Sequence, residues 1–218
     1  MLVDSTALPE QAVRDILASA FQSAGQRCSA LRCLYVQEDV ADSLLHMLAG
    51  AMDGLTLGDP WDLTCDIGPV IDADAAREIR SYVTQARRAG RVIHELRAPD
   101  AGFFVAPVVI SVGGIADIPR EVFGPVLHVT RFKARDLPKV LAAVNARGYG
   151  LTFGLHTRID NRVQEVVEAL RVGNLYVNRN QIGAVVGSQP FGGEGLSGTG
   201  PKAGGPEYVA RLAAPVQG

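Results

Sequence analysis

"VLHVTRFKARDLPKVLAAVNARGYGLTFGLHTRIDNRVQEVVEALRVGNLYVN", residues 126–178, decides the fold, because apolar runs of strand length alternate in it with helical patterns. "VLHVTRF", "LTFGLHT" and "GNLYVN" are short, β-rich and nearly continuous in apolar character, as strands buried on both faces must be. Between them "LPKVLAAVNARG" and "NRVQEVVEALRVG" space their apolar residues at helical intervals and end on glycine. Strands that alternate with helices in this way predict an α/β domain with a largely parallel sheet flanked by helices.

The pattern extends toward the N-terminus. "PEQAVRDILASAFQSAG" (9–25) brings Val13, Ile16, Leu17, Ala20 and Phe21 to one face, with a proline at its start and Gly25 past its end, and so predicts an amphipathic helix. "LRCLYVQ" (31–37) predicts a strand, and "DVADSLLHMLAGAM" (39–52) a helix stopped near Gly54. "DADAAREIRSYVTQARRAG" (72–90) predicts a third helix, capped by Asp72 and closed by Gly90, with arginines in the last turn where the helix dipole favours them. "RVIHEL" and "FFVAPVVISV" are further strand candidates.

Composition narrows the function. Lys and Arg number 21 against 23 Asp and Glu, a net charge of −2 with no basic stripe, which argues against nucleic acid and anionic membranes as partners. No apolar run approaches the roughly 18 residues of a membrane span, and no secretory leader pattern is present, so a soluble cytosolic protein is expected. Three cysteines without C-x-x-C spacing and four scattered histidines argue against a disulfide framework and against a metal site.

Three stretches carry chemistry. "SAGQRCSALR" (23–32) sets Cys28 just after a glycine-containing break, where a thiol is accessible. Arg27 or clustered backbone N–H groups there could favour the thiolate and hold an oxyanion formed on an attacked carbonyl. The plainer alternative is a small residue packed behind a turn. Cys33 and Cys65 keep that plainer reading. "REVFGPVL" (120–127) places Glu121 before the aromatic Phe123 and a Gly-Pro turn, either a solvated carboxylate or an acceptor for ribose hydroxyls beside a ring. "GAVVGSQPFGGEGLSGTGPKAGGP" (183–206) is glycine-rich but punctuated by Val185, Val186, Phe191 and Leu196. It is either a disordered tail or a long ordered loop whose backbone must pass close to something. "GGEGLSG" only loosely matches a dinucleotide fingerprint, since it follows no strand and opens no helix, so phosphate cradling is not supported.

Taken together, "FQSAGQRCSALR", "REVFGPVL", "GNLYVNRNQIGAVVG" and "QPFGGEGLSGTGPKAGGP", in this order and spacing, closely resemble the aldehyde dehydrogenase superfamily. Within it they are most similar to the L-glutamate γ-semialdehyde (pyrroline-5-carboxylate) dehydrogenase domains of bifunctional proline utilization A proteins. The likeness runs from about residue 2 to residue 212. It implies NAD as cofactor and an aldehyde bearing a carboxylate as substrate. Cys28 matches the family's nucleophile, with its own N–H as half of an oxyanion hole. Glu121 matches the glutamate that holds the nicotinamide ribose, and Phe123 the aromatic beside it. Ser29, Gly183 and Ala184 match the positions that grip the substrate's α-carboxylate, and Phe191 the ring that packs on its aliphatic chain. No metal is implied.

The resemblance also implies that complete members are much longer. Their Rossmann domain, the asparagine that completes the oxyanion hole and the glutamate general base would precede residue 1. The expectation is therefore a catalytic domain over 1–205 and a C-terminal oligomerisation strand or tail over 206–218, a fragment impaired or inactive by itself, forming a homodimer in the cytoplasm. Asp4, Glu10 and Asp15 read as surface residues of a helix start and offer no substitute base. Two other functions stay open: a non-catalytic oligomerisation module, and a residual thiol esterase that needs the nucleophile but not NAD.

Overall fold

The computed structural model describes residues 1–198 and 200–213. Its strands are β1 (Leu2–Val3), β2 (Cys33–Gln37), β3 (Val92–Glu95), β4 (Val108–Ser111), β5 (Val126–Phe132), β6 (Tyr149–Gly150), β7 (Thr152–His156), β8 (Asn174–Val177) and β9 (Glu194–Gly195). The helices are α1 (Pro9–Phe21), α2 (Glu38–Asp53), α3 (Ala73–Arg88), α4 (Leu137–Asn145), α5 (Asp160–Ala169) and α6 (Tyr208–Ala213). Seven strands form one sheet in the order β3-β4-β5-β2-β1-β7-β8, parallel except where β3 runs against β4, while β6 and β9 make a separate antiparallel pair.

Alternation along the strands builds two core layers, one on each face of the sheet. In β2, Leu34 and Val36 join Ile16, Phe21, Leu48 and Met52 beneath α1, α2 and α3, whereas Cys33 and Tyr35 join Leu141, Phe153, Val166 and Leu170 beneath α4 and α5. The predicted apolar face of α1 is buried, with Ala12, Ile16 and Ala20 at 0% exposure. Asp72 caps α3 as expected, its carboxylate accepting from Ala75 N at 2.8 Å, and Arg87 and Arg88 occupy the last turn. Among the described residues no helix is long and apolar enough to cross a membrane, and no group of three His, Cys, Asp or Glu could hold a metal.

Several expectations are corrected. The segment from 206, expected as a strand, is a helix at Tyr208–Ala213, and residues 214–218 lie outside the described residues. Alanine and leucine favour helix there, and Arg211 donates to Glu207 one turn earlier at 3.1 Å. Asp4 and Asp15 are not surface residues; they are 1% and 3% exposed. Asp4 sits at the end of β1 and accepts from Thr6, Thr157 and Arg162. Burial alone would raise its pKa, yet the hydrogen bonds from Thr157 and Thr6 and the Arg162 charge outweigh it and hold the carboxyl below its ordinary value. Glu10 is exposed, as read.

Candidate active site

The nucleophile candidate sits where α1 ends. After Phe21 the chain winds through a short 3₁₀ segment in which Ser23, Ala24 and Gly25 take left-handed φ values of 54°, 52° and 65°. Such values are costly for side-chain-bearing residues, so tertiary contacts must hold the bend. They are visible: a Cβ on Gly25 would fall against the Gly124 carbonyl oxygen and 2.8 Å from the Ala20 oxygen, so only glycine lets the two loops meet. Cys28 follows on an exposed turn closed by Ala30 N donating to Arg27 O at 3.1 Å. Among the described residues the Cys28 N–H has no hydrogen-bond acceptor.

The turn is fastened from three sides. Gln26 accepts from Ile71 N at 2.8 Å. Behind it, the Ser29 carbonyl accepts from Thr152 Oγ1 at 3.3 Å and from Gln181 Nε2 at 3.2 Å. Arg32 supplies the third tie, donating from Nη1 to Gly25 O at 2.6 Å and from Nη2 to Arg27 O at 3.1 Å. The same guanidinium reaches the 120–125 loop, donating from Nε to Glu121 Oε1 at 3.0 Å and from Nη1 to Gly124 O at 3.2 Å, and lies 4.8 Å over the Phe123 ring. Arg32 thus ties the turn that carries Cys28 to Glu121 and Phe123. Arg27, the cation expected to serve the thiol, instead donates to Ser23 Oγ at 3.0 Å.

The other candidates fall on the loop that leaves β8. Gln181 and Ile182 are buried, each 4% exposed, and anchor its start beside Ser29, after which Gly183 turns outward with φ +75°. The N–H groups of Gly183 and Ala184 find no acceptor among the described residues. Phe191 is half-buried, its backbone paired in both directions with Ala203 at 2.8 Å. Over its described residues, 183–198 and 200–206, the glycine-rich stretch is therefore a loop that returns on itself through the Phe191–Ala203 pairing, with the β9 strand inside it. Ser29 is itself 6% exposed, which makes its hydroxyl the least accessible of the proposed substrate contacts. Cavities of about 430 and 600 Å³ lie along β8 and under α2, and neither is lined by Cys28 or Glu121.

Arg32, Thr152 and Gln181 escaped the sequence reading. Arg32 did carry a signal, since a guanidinium between Leu31 and Cys33 at the mouth of an apolar strand needs partners to be there. Thr152 and Gln181 carried none, because their partner lies 123 and 152 residues away.

The profile of the aldehyde dehydrogenase family matches residues 1–214. The bifunctional protein PutA of Escherichia coli (strain K12) is 54% identical over 222 residues, covering 98% of this chain and 17% of that protein. The 1-pyrroline-5-carboxylate dehydrogenase of Geobacillus sp. (strain WCH70) is 41% identical, covering 96% of this chain and 41% of that protein. A crystal structure of bifunctional proline utilization A (PutA) superposes with a TM-score of 0.94 at 51% identity, over 98% of this chain and 22% of that one. The chain thus spans less than half the length of these relatives. With a matching profile along nearly its whole length and a common fold, the chain belongs to the aldehyde dehydrogenase family.

Proposed function

We propose that this chain carries the thiol chemistry of an NAD-dependent L-glutamate γ-semialdehyde dehydrogenase, which yields glutamate in proline catabolism. The observation that best supports it is the exposed Cys28, whose backbone N–H has no acceptor among the described residues, on a turn that Arg32 ties to Glu121. The names of the relatives, PutA and 1-pyrroline-5-carboxylate dehydrogenase, support the substrate class.

In this reading the Cys28 sulfur adds to the aldehyde carbon, and the carbonyl oxygen gathers charge beside the Cys28 N–H, giving a thiohemiacetal. NAD⁺, when bound, supplies the hydride acceptor that turns this adduct into a thioester. Water then attacks the thioester carbon; the C–S bond breaks, the carboxylate leaves and Cys28 is regenerated. The residues fit one end of the cofactor: Glu121 engages Arg32 through Oε1 only, its side chain is 55% exposed, and Phe123 is 47% exposed. Glu121 and Phe123 would hold the nicotinamide ribose. Among the described residues these two address only that end of a dinucleotide, so weak cofactor affinity and slow turnover are expected from this chain by itself.

For the substrate, Gly183 and Ala184 offer unengaged N–H groups to a carboxylate, with Ser29 beside Cys28 and Phe191 against the aliphatic chain. The three thiols, all free, suit a reducing cytoplasm, and β8, which among the described residues has no strand on its outer side, supports a homodimer. The test is protection of Cys28 from iodoacetamide. L-glutamate γ-semialdehyde should protect better than a plain aliphatic aldehyde of equal length, and any NADH formed with NAD⁺ should vanish in Cys28→Ala. Equal protection by the two aldehydes would remove the substrate assignment.

A further inference from the structure

We propose that Arg32 is a positioning residue that aims and polarises the Cys28 N–H, the donor read above for the oxyanion, by holding the carbonyl at the other end of the same peptide. The inference rests on the reading of Cys28 as the nucleophile and deepens it. Cys28 N and Arg27 O belong to one planar unit, and since no cis peptide occurs among the described residues, the N–H points away from that carbonyl. Whatever holds Arg27 O therefore aims the Cys28 N–H. Two donors do so: Ala30 N and Arg32 Nη2 each reach Arg27 O at 3.1 Å, whereas the Cys28 N–H meets no acceptor among the described residues.

The Gly25–Gln26 peptide, earlier in the same turn, shows the contrast. Its carbonyl accepts from Arg32 Nη1 at 2.6 Å, but its N–H is already engaged by Ser23 O at 3.0 Å. In the Arg27–Cys28 peptide the acceptor end is doubly bonded and the donor end is left for a ligand. The bond from Arg32 is charge-assisted, and by drawing electron density toward the carbonyl oxygen it makes the N–H of that peptide a stronger donor. The guanidinium is itself held in place. Its side chain is 17% exposed, Nε donates to Glu121 Oε1 at 3.0 Å, Nη1 also reaches Gly124 O at 3.2 Å, and the Phe123 ring lies 4.8 Å away. A planar fork of five N–H groups can hold the turn and the 120–125 loop together, which a lysine ammonium cannot.

Two reagents that use the same sulfur separate this role from simple scaffolding, and neither needs an aldehyde or NAD⁺. With p-nitrophenyl acetate the Cys28 thiolate attacks the carbonyl carbon, an oxyanion forms, and the C–O bond then breaks to release p-nitrophenolate. With iodoacetamide the thiolate displaces iodide from a methylene carbon, and no oxyanion forms. A change in thiolate fraction or in access moves both rates alike, so the ratio of acylation to alkylation at Cys28, followed by peptide mapping, reports on the N–H. Arg32→Met should lower that ratio about tenfold, and Arg32→Lys, which keeps the charge but not the fork, about threefold. An unchanged ratio in Arg32→Met, with both rates normal or both reduced together, would overturn the proposal. Where Arg32→Met does not fold, Arg32→Lys decides alone: a lowered ratio supports the positioning role, and an unchanged one refutes it. A wild-type chain whose Cys28 is alkylated but never acylated would sink the nucleophile reading and this proposal with it, whereas an unchanged ratio in the variants removes this proposal only.

Discussion

Burial sorts the three thiols before any chemistry does. Cys33 lies inside β2, and burial pushes its pKa up to about 11, against a smaller opposing pull from the Met1 amino group. Cys65 is half-buried, its Sγ donating to the Ile67 carbonyl at 3.4 Å, and Cys28 is exposed. Limiting iodoacetamide at neutral pH should therefore label Cys28 first, as peptide mapping would show, and Cys28→Ser should leave only slow labelling. Asp4 makes a second prediction at this scale. Its depressed pKa means that the folded state binds its proton less readily than the unfolded state, so its contribution is present above the ordinary aspartate value and lost as pH falls through the folded one. Asp4→Ala strands Thr157 and Arg162, and chemical denaturation at pH 7 should show a loss of about 3 kcal/mol or more. Asp4 was not legible as a buried hub. A charged residue near a helix start has the composition of surface, and its partners at 157 and 162 are brought to it only by the sheet.

At the scale of elements, the bend between α1 and β2 rests on the close approach of Gly25 to Gly124. Gly25→Ala meets both a left-handed φ and a backbone carbonyl, and should lower the thermal midpoint by several degrees, a cost of about 2 kcal/mol or more. Its effect on Cys28 labelling should exceed that of Gly90→Ala, which has a similar φ but open space around it. Helices with full apolar faces were readable, as α1, α2 and α3 show, and so was the Asp72 cap of α3, because those signals are local. The strands β1, β6 and β9 have two residues each, too few for any periodicity. The error at α6 had another origin: Glu207 and Arg211 one turn apart are a helix signal, but the likeness to a family strand was given more weight. At the candidate site, Cys28, Glu121 and Phe123 stand out in the sequence as candidates, whereas the guanidinium that ties the Cys28 turn to Glu121 and Phe123 is a tertiary fact.

Across the whole molecule, two buried histidines make stability depend on pH. His128 lies between the Arg32 carbonyl and the Tyr82 hydroxyl, and His156 faces Asp15 at 3.8 Å; burial is the main cause that lowers both pKa values. Between their folded values and about 6.5 the unfolded chain binds more protons, so stability should fall as pH drops below about 6.5. Urea midpoints measured from pH 7.5 to 5.5 should decline, and less steeply in His128→Asn. Leu2, 0% exposed in β1, should cost about 2–5 kcal/mol as Leu2→Ala, read by the same titration. The position of β1 also orders the assembly of the fold. Leu2 pairs with Tyr35 on one side and Leu155 on the other, so among the described residues this two-residue wedge alone carries the strand pairing between the four strands β3, β4, β5 and β2 and the pair β7 and β8. During synthesis β1 waits for its second neighbour until some 150 further residues have been added. The middle of the sheet is therefore complete only once β7 has been made, and until then β1 presents a bare edge on that side.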